Sequence, residues 1–243
     1  MIPAPGPDTG GARPAATAAK QLWASLLAGP LQAPFVVVYL LVSWVIFLSL
    51  AQPGSWFYET DGEALRPWLY AIPDLAQDVP ATLSAVATAP WVHITGVQMV
   101  FVTLGLLVFG ARLEFREGTL KTVAIFFATT AIGACAAGLL LHVIYPGFAS
   151  SEAFETAWER TWGGGSAGAF GVVGALVGRA RSPLPLIGAV LAWEASFALL
   201  LFRDFVPAFH IPAFFAGFAA TRYLLPGPRD ESVYTILTGA RPS

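Results

Sequence analysis

Six stretches of the chain are almost wholly apolar and are separated by short polar segments, at residues 34–51, 91–111, 120–145, 164–179, 183–202 and 207–225. A helix needs about 20 mostly apolar residues to cross a bilayer, so the pattern predicts an all-α, polytopic membrane protein with six transmembrane helices. The fourth stretch is short and rich in glycine. Gly164/Gly168 and Gly174/Gly178 have the small-xxx-small spacing that lets helix backbones approach closely, which places this helix at the centre of the bundle, surrounded by the others.

The segments between and beyond the spans give the domain plan. Residues 1–33 open with a run rich in Pro, Gly and Ala and read as a disordered or interfacial cytoplasmic tail. Residues 34–225 form the membrane domain, and 226–243 form a second cytoplasmic tail. The longest connection, 52–90, mixes aromatic residues with acids and is expected to lie along the outer membrane interface. Loop 203–207 is a candidate lid.

Composition sharpens this reading. Charged residues make up only 12% of the chain and hydrophobic ones 56%, whereas soluble domains carry about a quarter charged. No basic tract suggests a nucleic-acid partner. Basic residues accumulate on the cytoplasmic side of membrane proteins. With the N-terminus inside, ten of the 13 lie there, and only Arg66, Arg160 and Arg203 are external. Trp56, Trp68, Trp91, Trp158 and Trp162 then cluster at the outer face, as interfacial aromatic residues do. Both termini are therefore expected in the cytoplasm, with the protein integral to the plasma membrane. The single Cys135 offers neither a disulfide framework nor a thiolate metal cluster, and no cofactor is expected. Nothing in the sequence sets the oligomeric state.

Two residues stand out chemically. Ser166 sits at the external end of the fourth stretch behind Gly163, Gly164 and Gly165, and glycine permits the tight turns and close backbone approach that a nucleophile needs. Serine and glycine are also common wherever membrane helices pack. A weak alcohol requires a neighbouring base, and His210, at a similar depth near the start of the sixth stretch, is placed to supply it. The bland alternative for His210 is a hydrogen bond to a neighbouring helix. Glu194, in "LAWEASF", is an intramembrane acid, which either reaches a partner across the bundle or meets water.

This arrangement resembles the rhomboid family of intramembrane serine proteases. Their serine motif, Gly-x-Ser-Gly-Ala-x-aromatic-Gly, is similar to Gly164 through Gly171 here, matching at Gly164, Ser166, Phe170 and Gly171. Their histidine motif, Ala-His-x-x-Gly-x-x-x-Gly, is matched at His210 and Gly217. The second span of the family opens with two histidines and an asparagine and ends near a glutamate, places held here by His93, Gln98, Val102 and Glu114. The resemblance covers about residues 34–225 and implies a six-helix bundle with a short central fourth helix. It implies a dyad in which His210 takes the proton of Ser166, with the oxyanion met by the Ser166 N–H and Gln98. Gly164, Gly165 and His93 would support that site, and Phe170 would stack on the imidazole. Gly171, Gly217 and Glu114 would be structural, Glu114 tying helix ends together. Substrates would be membrane-anchored proteins cut near the outer membrane face, and the partners would be these substrates and the lipid bilayer.

The departures point to two other readings. Ala167 and Ala213 replace glycines, and Gln98 and Val102 replace the residues that help form the family's oxyanion hole. Gln98 still donates through its amide, but Val102 has no donor. A catalytically weak or inactive rhomboid-like protein that binds transmembrane segments is one alternative. A small transporter, with Glu194 and His93 lining its path, is the other.

Overall fold

Helix α1, Pro34–Leu50, begins at a proline, whose preset φ and missing N–H suit a first helical position. The next two amides, of Phe35 and Val36, donate to the Glu114 carboxylate at 2.8 and 3.1 Å. Glu114 is only 2% exposed and comes from the far end of the next long helix. It ties helix ends together through the backbone of α1. The computed structural model describes residues 32–54, 57–148, 152–198, 205–227 and 229. The two tails, apart from residues 32, 33, 226, 227 and 229, lie outside the described residues, as do positions 203 and 204 of the loop read as a lid.

The connection after α1 is folded. A hairpin of β1 (Gln52–Gly54) and β2 (Phe57–Glu59) is followed by strand β3, Tyr70–Ala71. Two short helices come next: α2, Asp74–Gln77, and α3, Val79–Thr88. Asp78 caps α3 by accepting from the Ala81 N–H at 2.9 Å. Tyr70, Ile72, Ala85 and Ala89 from this region share one buried cluster with Ala134, Leu141, Phe209 and Ala213 of the bundle. Burial of apolar side chains therefore holds the connection against the helices. The two small sheets add strands to the all-α plan.

Helix α4 runs from Gly96 to Glu117, five residues later than its apolar stretch begins. Residues 89–91 form a 3-10 turn around Pro90, and Thr95 supplies the cap, its hydroxyl accepting from the Gln98 N–H at 3.2 Å. Gly118, with φ +87°, ends it. Helix α5, Thr119–Phe148, follows, and α4 and α5 are each long and apolar enough to cross a bilayer. Helix α6, Glu152–Glu159, lies between apolar stretches and leads into strand β4, Thr161–Trp162. Strand β4 pairs antiparallel with β3, Tyr70 facing Trp162.

Helices α7 (Ser166–Gly178), α8 (Leu184–Ser196) and α9 (Pro207–Ala219) complete the bundle. All three are shorter than the 20 or so residues of a full crossing. Eleven of the 13 residues of α7 are buried, so the small-residue helix is enclosed by its neighbours. It crosses α9 with backbone against backbone: a Cβ on Gly217 would meet the Gly171 carbonyl, and one on Gly174 would meet the Phe214 carbonyl. Neither obstacle is a flexible side-chain end that turns aside. Gly217→Ala is therefore expected to force the helices apart and to destabilise the fold by about 1–3 kcal/mol or more. Thermal unfolding in detergent checks this, and an unchanged midpoint would show that the crossing is looser than described.

Candidate active site

The crossing of α7 and α9 brings together two side chains 44 positions apart in sequence. The hydroxyl of Ser166, the first residue of α7, lies 2.9 Å from Nε2 of His210 on α9. Ser166 is half-buried and His210 only 6% exposed. The Phe170 ring, one turn along α7, stacks on the imidazole with centroids 4.1 Å apart and planes 14° from parallel. On the other edge of the ring, Nδ1 lies 3.1 and 3.2 Å from the two carboxylate oxygens of Glu194 on α8.

The loop before Ser166 is held from several sides. Gly164 adopts φ +95°, a left-handed conformation that glycine enters without strain, and its N–H donates to the Ala89 carbonyl at 2.8 Å. A Cβ on Gly165 would strike the Tyr39 hydroxyl and the Phe126 ring. The Gly165 N–H donates to Nε2 of His93 at 3.4 Å, so that nitrogen carries no proton and His93 serves as a neutral, wholly buried prop. Gln98 braces the same loop: its Nε2 donates to the Gly163 carbonyl at 2.7 Å, and its Oε1 accepts from the Ile94 N–H at 3.1 Å. One amide hydrogen of Gln98 is therefore committed to holding the loop. Val102 is fully buried in the apolar cluster with Val36 and Leu106 and presents no polar group.

These residues border a cavity of about 720 Å³. Gln98, Phe101, Trp162, Trp193, Phe209 and Tyr70 supply much of its wall, and Asp61, Glu63 and Arg160 also line it. The Arg160 guanidinium rests over the Trp162 ring, 3.6 Å from its centroid. The cavity has room for an extended peptide segment and for water, and both Ser166 and His210 line it. Because Ser166 opens α7, the free N–H groups of the helix start and the positive end of its dipole sit beside the hydroxyl. A nucleophile, a base in contact with it and an anion-stabilising helix end form a constellation suited to acyl transfer.

The model of the rhomboid domain matches residues 80–226, more than half of the chain. The chain belongs to the rhomboid family. Compared with curated proteins, it finds no match. Rhomboid membership and the apolar helices make it an integral membrane protein of a family of intramembrane serine proteases. The matched region takes in Ser166, Glu194 and His210, along with Gln98, His93, Glu114, Gly171 and Gly217. Glu194 is the site residue for which the sequence yields no role. Its one signal is the cost of an ionisable group inside a membrane, which commonly marks function, and that signal names no partner.

Proposed function

We propose that this rhomboid protein is an intramembrane serine endopeptidase that cuts membrane-anchored proteins near the outer membrane face. The observation that carries the reading is the 2.9 Å contact between the Ser166 hydroxyl and His210 Nε2 at the wall of the cavity. His210 Nε2 accepts the Ser166 proton as the oxygen attacks a substrate carbonyl, and the oxyanion develops at the start of α7, against the Ser166 N–H. The imidazolium then passes its proton to the departing amine, leaving an acyl-enzyme that water hydrolyses by the same route in reverse. Gln98, with Gly164 and Gly165, fixes the loop that aims the hydroxyl.

The topology proposed with it has six spans and both termini in the cytoplasm of a plasma-membrane protein. This arrangement puts the site at the external side, where the cavity draws water from outside while lipid surrounds the helices. A weak or inactive form has one specific observation in its favour, the apolar Val102 in place of an oxyanion donor.

Labelling with a fluorophosphonate probe in liposomes separates the two. Covalent labelling of the wild type that disappears in Ser166→Ala supports the protease. A wild type that stays unlabelled under conditions where it is folded ends that reading and leaves the two non-proteolytic alternatives.

A further inference from the structure

We infer that Glu194 is a positioning residue that completes a Ser166–His210–Glu194 array by holding His210 with Nδ1 protonated and Nε2 free; this rests on the serine-protease reading. Glu194 is the buried residue of α8, and it is only 2% exposed. A carboxylate so placed is costly unless it is paired, and both of its oxygens lie within 3.2 Å of His210 Nδ1. An ionised carboxylate only accepts hydrogen bonds, so with Glu194 in that form Nδ1 carries the ring proton. Nε2 is then left with a lone pair, directed at the Ser166 hydroxyl 2.9 Å away.

Three contacts thus fix one ring: Glu194 at Nδ1, Ser166 at Nε2, and Phe170 on its face. When Ser166 gives up its proton, that proton goes to Nε2 and the Nδ1 proton stays where it is. Glu194 takes no proton; it faces the positive charge that forms on the ring. The remaining described acids and bases of the cavity wall, Asp61, Glu63 and Arg160, come from the segments outside the bundle helices, which leaves this pairing to Glu194. The three residues come from three different helices, α7, α8 and α9. The position of α8 therefore sets the orientation of the base.

The test compares the full-length wild type with Glu194→Gln and Glu194→Asp in liposomes, reading three quantities per folded molecule. These are the rate of fluorophosphonate labelling, kcat and KM on a model transmembrane substrate, and the tautomer of His210 from 15N spectra of histidine-labelled protein. Glu194→Gln is nearly isosteric but presents an amide, which stabilises the wrong tautomer as well as the right one. It is expected to lower labelling and kcat by about 100- to 10,000-fold, at an unchanged KM. The His210 spectrum should shift from Nδ1-protonated to a mixture. Glu194→Asp should recover at least tenfold of the loss.

A residue that only staples α8 to α9 would change the unfolding midpoint and leave labelling per folded molecule and the tautomer as in wild type; that result overturns the inference. If Glu194→Gln does not fold, wild type and Glu194→Asp still decide, since an Nε2-protonated His210 in the wild type also overturns it. Failure of the protease reading looks different. The wild type then never labels, while the histidine spectra continue to report on the Glu194 pairing.

Discussion

His210→Ala is expected to lower the turnover of a model transmembrane substrate by up to about 10⁶-fold, with KM within a few fold of wild type. The imidazole is the group placed to accept the Ser166 proton at 2.9 Å, and an alcohol without a base is a weak nucleophile at neutral pH. The residues that shape the cavity, among them Trp162, Trp193 and Phe101, are untouched by the change, so substrate binding should survive. Phe170 loses its stacking partner but keeps its contact with Phe101, at 6.1 Å between centroids. The two helices that meet at this point are held together by the glycine crossing below it, which makes a folded variant the expected outcome. Cleavage in liposomes, followed over days to reach slow rates, checks the figure. A loss below about tenfold would place the base elsewhere and leave the contact with Ser166 without a catalytic role.

The largest expected effect on stability lies at the opposite end of the bundle. Arg179, at the end of α7, is 1% exposed, and its guanidinium meets the Glu117 carboxylate in a two-pronged pair at 2.8 and 3.0 Å. It also donates to the carbonyls of Leu225 and Pro226 at 3.3 and 3.2 Å. Glu117→Ala leaves that buried cation with carbonyls alone, and breaking a buried pair from one side costs about 3–5 kcal/mol. Lys121 serves as the control. It also reaches Glu117, at 3.7 Å, but its side chain is 46% exposed, and pairs so placed contribute about 0–1 kcal/mol. Denaturation midpoints of Glu117→Ala and Lys121→Ala should therefore differ widely. Equal midpoints would show that water reaches Arg179 and that the pair is a surface feature.

Much of the architecture was legible because apolar length and glycine spacing are one-dimensional signals. Each of the six apolar stretches carries a helix, and the chain belongs to the rhomboid family that the motifs around Ser166 and His210 resemble. What could not be read depends on which way a side chain faces. Glu194 and His210 lie 16 positions apart on separate helices, and no periodicity relates two helices joined by a loop. The bracing role of Gln98 was hidden for a similar reason. An amide both donates and accepts, and only the path of the Gly163 backbone decides what it meets. Strands β3 and β4 are two residues each, too short for alternation to announce them. Helix α4 starts late because Pro90 and the Thr95 cap override an apolar run that continues through both.

The cap that Glu114 places on α1 bears on the order in which the chain can be assembled. The first helix emerges during synthesis some 60 residues before its cap does, at the growth rate of about 5–20 residues per second. For those seconds the amides of Phe35 and Val36 have no carboxylate to meet, and amides without partners are excluded from hydrocarbon. The start of α1 therefore lies at the aqueous border, where water meets these amides until the Glu114 carboxylate replaces it. A chain stalled before residue 114 leaves the first turn of α1 with water alone as its cap.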